Sequence, residues 1–178
     1  FMSMGLIANE RMPVIWRGPM VSGAVMQLLS QTDWQELDYL IVDTPPGTGD
    51  VQLTLLQRMP LNATIVVTTP QKVAVSDTRK GIEMINKLKI PILGLVENMS
   101  YFYPNNSTDK YYIFGKGGGE ELANEYGLDL FAQIPLTEKE ESLHLYYKSG
   151  YKEIFDNLSS KVIDKLNSLS KEMNQIIP

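Results

Sequence analysis

Two carboxylates flank a stiff loop in the stretch VDTPPGTGD, and their spacing suits phosphate chemistry. Asp43 follows the apolar run YLIV, and Asp50 closes the loop. A carboxylate at the end of a buried strand can hold Mg²⁺ directly or through water, as in phosphoryl-transfer enzymes. Gly47 can offer its backbone N–H to a terminal phosphate, while Pro45 and Pro46 stiffen the loop before it. This pattern indicates a loop that senses a nucleotide phosphate and relaxes when that phosphate is lost.

The same stretch has a simpler interpretation as a tight turn after a strand. In that case Asp43 only caps the helix that follows. The spacing of the two acids does not separate the two interpretations.

A second glycine-rich stretch, FGKGGGEE, resembles a phosphate-binding loop only in composition. Such a loop places lysine and then Ser or Thr at the start of a helix, after a buried strand. Here Lys116 precedes the glycines, and Glu120 and Glu121 open the predicted helix. Two carboxylates suit the helix dipole at that position but repel a phosphate. We therefore expect no phosphate cradle here, and the chain supplies half of a nucleotide site.

Short apolar runs alternate with helical patterns along the chain, and these elements must position the loops. None of the runs alternates cleanly between polar and apolar residues, which is typical of strands buried on both faces of a parallel sheet. The predicted strands are 39–42, 64–68, 92–96 and 130–134, with a weaker one at 14–16. The predicted helices are 21–29, 76–88, 120–126 and 151–169, and the last carries an apolar stripe. This order predicts an α/β fold in which 39–42 is the central strand.

The composition excludes several classes of function. The net charge of −5 disfavours broad electrostatic binding to nucleic acid or to an anionic membrane. The chain has no cysteine, so disulfides, thiolate metal sites and cysteine nucleophiles are excluded, and a single histidine, His144, cannot build a metal site alone. No run approaches the roughly 18 apolar residues of a membrane helix.

Five motifs, taken in order, make the sequence similar to a known family. They are VIWRGPMVSGAVMQLL, LDYLIVDTPPGTGDVQLTL, VVTTPQKVAVSDTRKGIEM, LGLVENMS and IFGKGGGEELANEYG, and the similarity covers residues 1–145. Together they resemble the Mrp/NBP35 family of deviant Walker P-loop NTPases, relatives of MinD that carry iron–sulfur clusters. The resemblance implies a mostly parallel sheet flanked by helices. It also implies that residues 1–178 are the C-terminal portion of a single domain whose phosphate loop lies upstream.

The resemblance gives the loop residues their roles. Asp43 matches the aspartate associated with magnesium, and Gly47 matches the glycine of the second switch loop. Pro46 belongs with the nucleotide-binding residues. The implied cofactors of the full-length protein are therefore ATP and Mg²⁺.

Two further residues match the pocket for the adenine base. Asn98, in ENMS, matches the asparagine that reads the adenine edge, which suits an amide because it offers both a donor and an acceptor. Taken by itself, Asn98 is equally well explained as the cap of a turn at the strand end. Pro135 matches a residue that lines the pocket, although Thr137 stands where the family often has an acid.

The segment after ENMS departs from the family. Most members have two cysteines there, and a dimer uses them to hold a [4Fe–4S] cluster between its subunits. This chain instead reads YFYPNNSTDKYY and has no ligand for a cluster. A chloroplast branch, known for its high-chlorophyll-fluorescence mutant, departs similarly, and the stretches TTPQK, KLKIP and KYYIFGKG also resemble that branch.

Aromatic residues flank the loop that replaces the cysteines. They either pack against one another in a hairpin or form a surface for a homodimer or a client protein, because aromatic residues are enriched in interface cores. The family's dimer contact lies at this hairpin. The residues are Tyr101, Phe102, Tyr103, Tyr111 and Tyr112.

The resemblance implies an ATP-dependent iron–sulfur cluster carrier or scaffold that transfers clusters to client apoproteins. The full-length protein would be an ATPase, and this chain alone would be inactive. An alternative is a non-enzymatic interaction protein derived from the same fold. A membrane-partitioning ATPase would need a basic amphipathic C-terminal helix, whereas 151–169 alternates lysine with acids. We expect no nucleic acid or membrane partner, and a soluble protein of the cytoplasm or of a plastid or mitochondrial matrix.

Overall fold

The computed structural model describes residues 1–3, 18–45, 47–104, 109–136 and 151–176. The chain divides into two units, Phe1–Pro60 and Leu61–Pro178. Several sites of the sequence predictions lie outside the described residues. They are the weak strand at 14–16, Pro46, Thr137 and His144.

The described residues of the first unit form two helices that contact each other. The helix α1 (Gly18–Gln31) confirms the one predicted at 21–29 and extends it at both ends. The helix α2 (Asp50–Arg58) follows the acidic loop and is absent from the predictions. Leu55 and Leu56 of α2 are buried, so this helix supplies apolar core to the unit.

The prediction of a central strand at 39–42 is wrong. The structure assigns no strand to this segment, and Ile41 is 91% exposed. A strand needs neighbouring backbone groups to pair with, whatever its side chains are. Among the described residues the strands form one sheet of three, and this segment is not part of it.

The second unit is built on a parallel sheet, as predicted. Its strands are β1 (Thr64–Thr68), β2 (Ile92–Glu97) and β3 (Leu130–Gln133), in the order β1-β2-β3. The register places Thr68 beside Glu97 and Glu97 beside Gln133. The carboxyl ends of all three strands therefore meet at one edge.

Helices lie on both faces of this sheet, and the face under α5 is open at β1, where Val67 is 60% exposed. The described helices of the unit are α3 (Lys72–Lys87), α4 (Gly118–Tyr126) and α5 (Tyr151–Ile176). Val67 and Thr68 point to opposite faces because side chains alternate along a strand. Thr78 of α3 donates its hydroxyl to Thr68 (3.0 Å), whereas Val67 lies in register with Val96, which belongs to the cluster under α5.

The apolar stripe of α5 packs against the sheet, which confirms its predicted role. It packs against a buried cluster of Leu93, Val96 and Phe131. Full burial of such a side chain is worth about 1.5–3 kcal/mol, and the half-buried stripe contributes part of that at each position. The stripe residues are Leu158, Val162, Leu166 and Leu169.

Gly127 ends α4, one residue after the predicted end of this helix at 126. Its φ of 63° lies in the left-handed region, which favours glycine, and its N–H donates to Ala123. Among the described residues, no helix is both long and apolar enough to cross a membrane.

Candidate functional site

The acidic loop belongs to the first unit. Asp43 is exposed and follows a segment without regular secondary structure, and Gly47 has a φ of 88°, a conformation that a residue with a Cβ rarely adopts. The N-cap of α2 is Gly49, with no side-chain bond to the helix. Asp43 therefore does not cap α2, and its carboxylate faces solvent.

Asn98 lies in the turn that follows β2 in the second unit. Its backbone N–H donates to the carbonyl of Thr68 (2.7 Å), which ties the turn to β1. Its side-chain Oδ1 accepts a bond from the N–H of Met99 (2.9 Å). An amide oxygen has two lone pairs, so this turn cap is compatible with the amide also reading a base edge.

Pro135 lies at the same edge of the sheet as Asn98. The residue before it, Ile134, donates its N–H to the carbonyl of Glu97 (2.8 Å) and accepts from the N–H of Ser100 (2.9 Å). Asn98 and Pro135 are therefore each one residue away from the same hydrogen-bonded pair, Glu97 and Ile134. Pro135 is buried, and its carbonyl accepts a bond from the hydroxyl of Tyr151.

Glu97 is a buried carboxyl group at this edge that sequence reasoning missed. It is 0% exposed. Its Oε1 accepts from the hydroxyl of Ser100 (2.5 Å) and from the side-chain amide of Gln133 (3.2 Å), and its Oε2 accepts from the N–H of Gly119 (2.5 Å). The available signal was an acid at the end of the apolar run ILGLV, directly before Asn98.

The glycine-rich stretch packs against this edge. A Cβ on Gly118 would lie 2.7 Å from Val75 and 3.0 Å from the carbonyl of Pro70, and one on Gly119 would lie 2.9 Å from the Cβ of Glu97. The start of α4 holds the carboxyl of Glu97, where the helix dipole favours a negative group. These glycines thus allow close approach of the backbone to its neighbours.

A buried hydroxyl follows β1 at the same edge. Thr69 Oγ1 has no hydrogen-bond partner among the described residues. A buried polar atom of this kind is normally satisfied by water or by a ligand.

The aromatic residues form a hairpin and also an exposed surface. Phe102 and Tyr111 exchange backbone bonds of 2.8 and 2.9 Å. Tyr101 is buried between the edges of Tyr103 and Tyr112, with ring centroids 5.2 and 6.5 Å away, and burial raises the pKa of its hydroxyl. Tyr111 is 53% exposed, so the hairpin packs some of its aromatic residues and presents others.

Cations lie over two of these rings. The ammonium group of Lys110 is 4.0 Å from the ring centroid of Tyr101, and that of Lys116 is 4.9 Å from Tyr112. In the part of the chain that the structure describes, no group of three acidic or histidine side chains could hold a metal ion. The described part of the hairpin surface therefore carries aromatic and basic side chains.

The decisive comparison is with a protein-family model described as the NUBPL iron-transfer P-loop NTPase group of the ParA proteins, which matches residues 1–173. The chain belongs to this NUBPL family. Membership confirms the family resemblance of the sequence motifs.

Relatives within the NUBPL family carry names that refer to iron–sulfur clusters. The "Iron-sulfur cluster carrier protein" of Pseudomonas fragi is 52% identical over 136 residues, which are 76% of this chain and 47% of that protein. The "Iron-sulfur cluster transfer protein NUBPL" of Dictyostelium discoideum is 49% identical over 135 residues, 76% of this chain and 42% of that protein. The chain thus spans about half the length of the curated relatives it matches.

A solved structure shows the same fold. The nucleotide-binding protein of Archaeoglobus fulgidus, in complex with ADP, matches with a TM-score of 0.60 and 32% identity, over 80% of this chain and 53% of that one. Together with the NUBPL family model, this likeness confirms the predicted α/β fold of a P-loop NTPase.

Proposed function

We propose that this chain is the C-terminal part of an ATP-dependent iron–sulfur cluster carrier, and that it supplies the base-binding side of the nucleotide site. The observation that supports this most directly is the shared sheet edge of Asn98 and Pro135, two residues on different elements held next to one hydrogen-bonded pair. The cargo that we propose is an iron–sulfur cluster, because the names of the relatives refer to such clusters.

The phosphate side of the proposed site needs phosphate-binding groups beyond those that this chain supplies. Asp43 offers an exposed carboxylate that fits a role in holding Mg²⁺, and Gly47 offers a backbone N–H. Magnesium bound there would neutralise charge on the phosphates. The row of N–H donors and the lysine of a phosphate loop would come from an upstream segment, which agrees with the chain covering about half of its relatives.

The aromatic hairpin is the surface we propose for a homodimer. Tyr103, Tyr111 and Tyr112 are exposed on it, and aromatic side chains are favoured at the centre of interfaces. ATP binding would then change the dimer geometry and release the cluster to a client apoprotein. A purely non-enzymatic scaffold protein is the second candidate, supported by the same exposed hairpin.

The chain does not fit direct ligation of a cluster. Clusters are held by thiolates because soft sulfur suits iron, and the sequence contains no cysteine. We expect this chain, reconstituted anaerobically with iron and sulfide and then desalted, to be colourless. A stable brown product with near-stoichiometric iron would contradict this.

Transfer by the full-length protein tests the carrier function. The reconstituted protein is mixed with an apoferredoxin, and the rate of cluster transfer is followed by visible absorption with and without Mg-ATP. We expect ATP to change the rate in the wild type but not in Asp43→Asn, with exposed Asp38→Asn as the matched control. A full-length protein that retains no cluster would favour the scaffold.

A further inference from the structure

Glu97 is held by groups from three different elements. Ser100 lies in the turn after β2, Gly119 in the first turn of α4, and Gln133 at the end of β3. A fully buried carboxyl is unfavourable unless its oxygens are hydrogen-bonded, and these three donors satisfy both of them. Their positions therefore fix the Glu97 side chain and, through it, the end of β2.

The turn that Glu97 opens carries Asn98 and Met99 between Glu97 and Ser100. Met99 has a φ of 53°, in the left-handed region that a non-glycine residue adopts only when its surroundings impose it. The bond from the Ser100 hydroxyl to Glu97 joins the two ends of the turn. The backbone bonds of Glu97 and Ser100 to Ile134 hold the same two ends.

The orientation of the Asn98 amide depends on this turn. Its Oδ1 accepts from the N–H of Met99, and the peptide that carries this N–H lies between Asn98 and Met99, inside the turn. A change in the turn that rotates this peptide would carry the N–H away and release the amide. Glu97 is therefore linked to the Asn98 side chain by two hydrogen bonds: its own bond from Ser100, which closes the turn, and the bond from Met99 to Asn98 within it.

We propose that Glu97 is a positioning residue that sets the Asn98 amide for selection of the nucleotide base. This rests on the proposed function, in which Asn98 reads adenine. Glu97 does not touch the base, because it is completely buried and accepts bonds from protein groups on both oxygens. It acts by clamping the turn.

A glutamine would change the hydrogen bonds made by this carboxyl. The amide keeps the volume but turns one oxygen into a donor group. With its NH₂ group toward Gly119, the amide would face a backbone N–H that can only donate. With its oxygen toward Gly119, Ser100 and Gln133 would have to turn and accept from the NH₂ group instead of donating to it. An unmatched buried donor is costly, so either orientation disturbs the bonds that hold the end of β2 and its turn.

The test is the base selectivity of the full-length protein. Dissociation constants for Mg-ATP and Mg-GTP are measured for the wild type, for Glu97→Gln and for Ser100→Ala, which removes one donor and keeps the carboxyl. We expect Glu97→Gln to lower the ATP preference about tenfold and Ser100→Ala to lower it less. Glu153→Gln, the same change at an exposed position of α5, should leave the preference unchanged.

A double-mutant cycle with Asn98→Ala tests whether Glu97 acts on base selectivity through Asn98. If Glu97 acts through Asn98, then Glu97→Gln changes selectivity no further in the Asn98→Ala protein. A further loss in that background overturns the proposal. So does a folded Glu97→Gln protein that keeps the wild-type preference within about twofold.

Two outcomes separate the inference from the function on which it rests. A wild-type protein with no ATP preference overturns the base-reading role of Asn98, and the proposal falls with it. If Glu97→Gln does not fold, Ser100→Ala decides the matter, and an unchanged preference in that variant overturns the role of Glu97.

Discussion

The proposed phosphate-sensing loop after Asp43 and the proposed base-reading turn around Asn98 are held in different ways. The Asn98 turn is tied by backbone bonds to β1 and to Ile134, and by side-chain bonds to the buried Glu97. The Asp43 loop follows an exposed, unpaired segment and leads into a helix that has no side-chain cap. The base side, which is the Asn98 turn, is thus held by bonds within the described chain, whereas the described residues give the phosphate side, which is the Asp43 loop, no comparable set of bonds.

The largest expected effect of this difference is on ATP binding by the chain alone. A phosphate cradle contributes several charge-assisted bonds, each worth about 1.5–3 kcal/mol, and none of its elements was found in this sequence. We therefore expect weak or undetectable binding of Mg-ATP by calorimetry. Submicromolar binding would show that the phosphate side is complete after all.

The same contrast explains which predictions from sequence were accurate. The strands β1, β2 and β3 were predicted within one residue at each end, because each is an apolar run with a neighbouring strand to pair with. The expectation of burial on both faces fails for β1, where Val67 is 60% exposed. The run at 39–42 is equally apolar. Whether such a run forms a strand depends on a neighbouring strand with which it can pair, and its own composition does not show that. Its apolar composition therefore led to the wrong prediction.

The unpredicted parts of the site have a similar cause. The role of Glu97 depends on Gly119 and Gln133, which lie 22 and 36 residues away in sequence. Asn98 and Pro135 were named only through the family resemblance, and their hydrogen-bonded setting required the structure.

The second largest effect is expected from crowding the base side. In Gly119→Ala the new Cβ would lie 2.9 Å from the Cβ of Glu97, so either α4 or the turn must shift. We expect a loss of about 1–3 kcal/mol in the free energy of unfolding, measured by urea denaturation. The control is Gly81→Ala in α3, where nothing lies within 4 Å of the new atom and helix propensity predicts a gain of up to about 1 kcal/mol. Equal stabilities of the two variants would mean that α4 is not packed closely against Glu97.

A smaller effect is expected from neutralising the phosphate side. Asp43 is exposed, so Asp43→Asn should leave the unfolding curve unchanged. ATP hydrolysis by the full-length protein should fall at least about tenfold, since a charge that orients the metal is lost. Steady-state turnover at saturating magnesium measures this, with Asp38→Asn as the control. Unchanged turnover would mean that Asp43 has no role in orienting the metal and is only part of the loop structure.

The smallest expected effect on stability concerns a surface ion pair that joins α3 to α4, the helix that packs against Glu97. Arg79 donates to Glu125 (2.8 Å), and this bond holds the pKa of the Glu125 carboxyl below its usual value. A carboxyl with a lowered pKa in the folded state adds stability above its unfolded pKa and loses it as the pH falls through the folded value.

Replacing the arginine should therefore have a pH-dependent cost. Arg79→Gln should lower the urea midpoint slightly at pH 7, because exposed ion pairs contribute little. The difference from wild type should shrink as the pH falls through the range where Glu125 protonates. Lys80→Gln, at the exposed pair with Asp77 within α3, is the control for lost surface charge. If the Arg79→Gln difference persists undiminished in acid, the packing of the arginine side chain, and not its charge, holds α4 in place against α3.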